Sequence, residues 1–213
     1  MRRKMTVIVG VLVAAAVVAP GLSPAEAGLS KGIRVGLNMA NFTGSDADPS
    51  PSVTKSSRTG YAAGLFAGIG LPALPLGFEI EALYSMKGAV YEWGTNSSTA
   101  KLAYLDIPVL VKLDILPVGP VKVGVFAGPS LGILLSAERE EELGSTSRTT
   151  DIKDDMNSSD MGAVVGVGVS LPMGLSVDVR YSMGLSKLEK DVAGIPALKR
   201  YNGVISAMAG LSF

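Results

Sequence analysis

The stretch Leu175-Ser176-Val177-Asp178-Val179-Arg180-Tyr181-Ser182-Met183-Gly184-Leu185-Ser186 alternates without a break. Leu175, Val177, Val179, Tyr181, Met183 and Leu185 fall on one face, and Ser176, Asp178, Arg180, Ser182, Gly184 and Ser186 on the other. Period two is the strand period, so the stretch predicts a long strand with one apolar and one polar face.

The same alternation recurs along the chain. Ile33, Val35, Leu37 and Met39 oppose Arg34, Gly36, Asn38 and Ala40. Tyr61, Ala63, Leu65, Ala67, Ile69 and Leu71 alternate with small residues and Phe66. Phe78, Ile80, Ala82, Tyr84 and Met86 oppose Glu79, Glu81, Ser85 and Lys87. Ala103, Leu105, Ile107, Val109 and Val111 oppose Tyr104, Asp106, Pro108 and Lys112. Further segments run from Val121 to Leu134 and from Met161 to Leu171. The last sets Ile205, Ala207, Ala209, Leu211 and Phe213 against Asn202, Ser206, Gly210 and Ser212. This makes eight strands of about nine to thirteen residues. A tilted membrane strand needs about nine to eleven, whereas soluble strands peak near five or six.

The connections alternate too. Leu71 to Pro75, Leu116 to Pro120 and Leu171 to Gly174 are short and carry proline. Asn41 to Arg58, Gly88 to Thr99, Ala137 to Asp160 and Glu189 to Arg200 are longer and polar. Short turns at one end and long loops at the other are the pattern of outer-membrane barrels. The expected fold is all-β: an eight-stranded antiparallel up-and-down transmembrane β-barrel over residues 28–213. Aromatics fit that frame. Tyr61, Tyr84, Tyr181 and Tyr201 are placed outward near the long-loop end, and Phe78 and Phe213 outward near the short-turn end. Two such girdles bound the apolar band of a membrane barrel. Pro108 and Pro129 fall inside strands where a ladder donor is needed; bulges there, or strand ends placed elsewhere, would resolve this.

Residues 1–27 read as a separate object. Arg2, Arg3 and Lys4 precede an apolar run from Thr6 to Ala19, then Pro20, Gly21 and Ala25-Glu26-Ala27. This is the order of a secretory signal peptide, with cleavage expected after Ala27. At about 15 residues the run is short for a spanning helix. Removing it leaves 16 Lys and Arg against 18 Asp and Glu, a net charge of −2. That balance gives no reason to expect a nucleic-acid partner. The chain has no Cys and no His. It therefore has no disulfide framework, no thiolate or imidazole metal ligand and no Ser-His-acid triad. No cofactor or metal is expected.

The segments Gly32-Ile33-Arg34-Val35-Gly36-Leu37-Asn38, Leu105-Asp106-Ile107-Pro108-Val109-Leu110-Val111-Lys112 and Phe126-Ala127-Gly128-Pro129-Ser130-Leu131-Gly132 resemble the outer membrane protein β-barrel domain family, the porin-family proteins of the eight-stranded kind. The resemblance covers Gly28 to Phe213. It implies an eight-stranded barrel in the outer membrane of a Gram-negative-type bacterium, proline at the two awkward positions and no catalytic residues. In that wider class a terminal aromatic is read by the barrel-assembly machinery; Leu211 and Phe213 match, with glycine displaced to Gly210. The implied partners are outer-membrane lipid and that machinery. A monomer is expected, and any extracellular ligand stays unspecified.

The inward charges are Arg34, Glu79, Lys112 and Asp178 near the short turns, Glu81, Asp106 and Arg180 above them, and Lys87 higher still. Mixed ions in a narrow interior should pair, because an unpaired buried charge costs several kcal/mol. A lumen-filling salt-bridge network is therefore expected, with an ion path as the alternative. Glu79 and Glu81 have the spacing of alternate strand positions, and nothing supplies a glycosidase cleft. Ser85 and Lys87 face inward together but lack a third orienting group. The chain reads as a non-enzyme. The loop from Ala137 to Asp160 carries eight carboxylates against Arg139, Arg148 and Lys153. It lacks the spacing of a calcium loop, and a solvated mobile loop is expected. Trp93, beside Tyr91 and Glu92, reads either as a binding aromatic or as an interfacial anchor. Inward glycines, those of Gly162 to Gly168 among them, are expected to make room for Phe66, Tyr104 and Phe126. Three functions remain open: a plugged structural and surface-interaction barrel, a narrow pore, and a soluble lipocalin-like binder with its faces inverted.

Overall fold

The computed structural model describes residues 28–48, 50–71, 74–118, 120–190 and 198–213. The expected leader and its cleavage point at Ala27 lie outside the described residues. Eight long strands form a ring: β1 (Leu29–Thr43), β2 (Thr54–Gly70), β3 (Leu76–Trp93), β4 (Asn96–Val118), β5 (Val121–Leu143), β7 (Ser159–Ser170), β8 (Leu175–Gly184) and β9 (Tyr201–Ser212). A short β6 (Thr146–Asp151) lies between β5 and β7 in the chain and pairs only with β5. Every ring neighbour is antiparallel, and β1 closes the ring on β9. Closure satisfies the backbone without an exposed edge, which a lipid environment demands. The last residue is tied in, because the Phe213 amide donates to the Lys31 carbonyl at 2.9 Å.

The faces decide the solvent. Outward residues of the barrel wall are apolar and accessible: Leu37 is 65 % exposed, and Val35, Leu65, Val167, Val177 and Ile205 behave alike. Inward, Arg34 is 2 % and Glu81 1 % exposed. In water such an exterior would be one continuous hydrophobic patch; in a bilayer it is the correct surface. The lipocalin-like alternative needed Glu81 outside, so it is overturned.

Expectation and structure part company above the wall. Gly88 to Thr99 is a continuation of β3 and β4, whose ladder runs to Trp93 opposite Asn96. β5 continues to Leu143 and turns into β6, with Glu138 opposite Asp151. Much of the expected mobile acidic loop is thus a hairpin, followed by a short 3-10 turn at Lys153–Asp155. In these extensions the polarity of the wall inverts. Ala89, Leu102, Leu134 and Ala137 point inward and join Phe42, Ala47, Tyr104, Ile152, Met156 and Leu188 in one buried cluster. Outward stand Glu92 and Glu138, and Lys101 pairs there with Glu140. This is the polarity of a water-soluble protein.

The bulges are also not where proline suggested. The β4–β5 register is the same on both sides of Pro108 and Pro129; Pro129 falls in a gap of that ladder, and Pro108 in a gap of the β3–β4 ladder. Proline lacks the N–H, and the missing pairs leave no donor demanded of it. The register shifts instead between Ala103 and Tyr104, where Leu135 is the extra residue, and between Asp114 and Leu116, at Ile115. A one-residue shift moves all later side chains to the other face. Leu134, before the bulge, points in with the even-numbered residues of β5, and beyond it the odd-numbered Ala137 points in instead.

The β1–β2 loop is pinned to the segment before β9. The Lys199 amide donates to the Asp46 carboxylate at 2.8 Å. That hydrogen bond holds the Asp46 carboxyl below its ordinary value of 3.8. A depressed carboxylate stabilises the fold above its unfolded pKa and loses that contribution as pH falls through the folded one. The Lys199 amide proton shift should therefore titrate with a midpoint below 3.8 in an NMR pH series. A midpoint at or above that value would show that the contact is not formed.

Candidate functional site: the lumen and the cup above it

β1, β3, β4 and β8 deliver the lower lumen charges from different sides of the ring. Arg34 donates to Glu79 at 2.8 Å and also bonds Glu81. Arg180 donates to Glu81 at 2.7 Å and bidentately to Asp178 at 2.7 and 2.9 Å. Lys112 reaches Glu79 at 3.0 Å, and Arg34 lies 3.8 Å from Asp178. Arg34, Arg180 and Lys112 thus balance Glu79, Glu81 and Asp178, leaving the cluster neutral. Each guanidinium also sits on an aromatic face: Arg34 is 4.7 Å from the Phe66 ring centroid and Arg180 5.0 Å from that of Phe126. Those rings fit because glycines face them. A Cβ on Gly32 would lie 2.7 Å from Phe66, and one on Gly166 would lie 2.3 Å from Phe126.

Higher up is a second, separate group. Lys87 donates to Asp106 at 2.8 Å and stands 4.6 Å from the Tyr104 ring centroid. Asn202 donates to the buried Asp160 at 2.8 Å. Between the two groups runs a polar belt. Ser206 donates to Asn38 at 2.8 Å, and Asn38 donates to Ser85 at 3.1 Å. The eight expected lumen charges therefore form two clusters rather than one network. Asp160 belongs to the upper group, although its sequence context placed it in the acidic loop. Carrying the alternation of Gly162 and Val164 back by two residues would have found it.

Tyr61 and Tyr84 touch with ring centroids 5.9 Å apart, while Tyr181, Phe78 and Phe213 are exposed and Tyr201 is half-buried. Leu211 and Phe213 both point outward at the end of β9.

Above the upper group the inverted-polarity extensions enclose an open cup of about 460 Å³. Phe42, Ile152, Met156 and Leu188 floor it, and Tyr91 and Trp93 line its wall. Trp93 faces the cup rather than the exterior, which favours a role other than lipid anchoring.

The outer membrane protein beta-barrel domain profile matches residues 23–190. The chain belongs to this family. No curated protein matches it. Among solved structures this outer-membrane barrel is similar to Neisserial surface protein A, at 17 % identity over 87 % of this chain and 99 % of that one, with a TM-score of 0.46. It is similar to Ail, the attachment invasion locus protein of Yersinia pestis, solved with the heparin analogue sucrose octasulfate. The identity there is 12 %, over 87 % of this chain and 99 % of that one, with a TM-score of 0.45. It is also similar to OprG of Pseudomonas aeruginosa, at 9 % identity over 87 % and 94 %, with a TM-score of 0.43.

The chemistry available to the barrel follows from these contacts. Lys87 is ion-paired to Asp106, and the Ser85 hydroxyl oxygen accepts from Asn38. Glu79 and Glu81 share Arg34 and are buried beneath side chains, with no sugar-sized cleft between them. Apart from a larger cavity at the short-turn mouth, two voids in the lumen measure about 20 and 30 Å³, room for single waters.

Proposed function

We propose that this chain is a non-enzymatic, non-conducting outer-membrane barrel whose role lies in what its long-loop end meets outside the cell. The observation that carries this reading is the neutral Arg34–Glu79–Glu81–Asp178–Arg180–Lys112 cluster across the lumen. An eight-stranded barrel has an interior just wide enough for side chains, and here those side chains hold one another. The cavity of about 400 Å³ at the short-turn mouth reaches Arg34, Glu79 and Asp178's neighbour Ser176 and ends at this cluster.

In this reading residues 1–27 are a leader removed after Ala27, and residues 28–213 are the mature domain. Tyr61, Tyr84, Tyr181, Tyr201, Phe78 and Phe213 mark the two lipid interfaces. Leu211 and Phe213 present the assembly signal. The barrel works as a monomer in outer-membrane lipid, and the surface above the membrane carries the contacts.

The test is single-channel recording of the mature chain in planar bilayers. No reproducible steps are expected. Steady steps of constant size would overturn the plugged reading and support a narrow pore.

A further inference from the structure

The cup is built unlike the lumen beneath it. Its floor is apolar, its wall carries two half-buried aromatics, and it opens away from the lipid-facing band. Four charged residues line it. Arg200 and Glu189 are paired with each other. Glu141 has Arg148 directly opposite on β6. Arg139 has Ala100 and Thr150 as its cross-strand neighbours and makes no ion pair among the described residues. An exposed guanidinium thus overlooks an apolar floor and aromatic wall. Guanidinium groups recognise carboxylate, sulfate and phosphate by charge-assisted hydrogen bonds.

We propose that the cup binds a small amphipathic anion, with its apolar or aromatic body on Tyr91 and Trp93 and its negative group on Arg139. The inference rests on the reading that function lies at the long-loop end. It concerns a free molecule rather than a lipid, because the lining side chains face the barrel axis and the outward face of the same strands is charged. Size fits as well. Small-molecule sites run to about 300–1,000 Å³, apolar with a few placed polar groups.

The chain contains one Trp, and it is in this wall, so its fluorescence reports the cup. The mature chain is folded into phosphatidylcholine vesicles and titrated with phenylbutyrate, phenylbutanol and phenylbutylamine. Phenylbutyrate should change the Trp93 emission saturably and bind tightest of the three. Arg139→Ala, an exposed site, should weaken phenylbutyrate about tenfold and leave phenylbutanol unchanged. Equal binding of acid and alcohol, or an R139A variant that binds the acid as the parent does, would overturn the proposal. So would a Trp93 shift produced by adding phosphatidylglycerol to the vesicles, with no response to phenylbutyrate; that would make the occupant a lipid. Heat-dependent gel mobility verifies that each variant is folded. Channel steps with binding intact would sink the plugged-lumen reading alone, and absent binding without steps would sink this proposal alone.

Discussion

Glu81→Ala is expected to destabilise the folded barrel by about 3–5 kcal/mol. Glu81 is 1 % exposed and accepts from both Arg34 and Arg180. Without it, Arg34, Arg180 and Lys112 face only Glu79 and Asp178, and one positive charge is left uncompensated in a closed interior. Truncating one partner of a buried pair is costly for that reason, whereas removing both can be nearly neutral. The effect should therefore shrink when Glu81→Ala is made in an Arg180→Ala background. Lys112→Met offers a contrast, since the Lys112 side chain is one-third exposed and its single contact with Glu79 is partly screened. Its loss should cost about 1 kcal/mol or less. Urea unfolding of the barrel in vesicles reads all four. Equal destabilisation by Glu81→Ala and Lys112→Met would show that the cluster does not hold the lumen.

Gly128→Ala is expected to be among the most damaging single methyls in the wall. Its Cβ would lie 1.9 Å from the Val109 carbonyl oxygen and 3.0 Å from the Leu110 Cα. Both are backbone atoms, so no side chain can swing away. Nor can the strands part easily. Pro108 pairs with Ser130 on one side of this point and Val111 with Ala127 on the other, in one register. Overpacking against fixed backbone costs about 3 kcal/mol or more. The variant should give little or no heat-modifiable band after refolding. Gly70→Ala is the control, because a Cβ there meets only the Gly28 carbonyl at 3.8 Å. It should fold as the parent does, and similar yields for the two variants would refute the close approach of β4 and β5.

Much of the barrel was legible because lipid and lumen impose opposite demands on alternate residues. Leu175 to Gly184 shows its faces in the sequence, and the structure places Val177 outside and Asp178 inside. The pairing of glycines with large inward rings was legible on the same ground, since Gly32 and Gly166 stand on the inward face. The extensions were not legible. Beyond Met86 on β3 the outward partner is water, so Tyr91 and Trp93 turn inward while Glu92 turns out. Alternation persists there, but its sign is reversed, and an apolar-outward pattern is lost. On β5 the bulge at Leu135 adds a change of phase, and the alternation read to Leu134 stops matching.

The sequence by itself determined the strand period, the inward face of the wall's charges and the family. Those properties depend on residue type at alternate positions, and each strand carries them alone. Only the tertiary structure decided that Arg34, Glu81 and Arg180 meet, that Lys87 and Asp106 form a separate pair, and that Trp93 shares a cup with Arg139. These groups sit on different strands and come together through ring closure and strand register. A one-residue shift at any of them would exchange every inward side chain above it for an outward one.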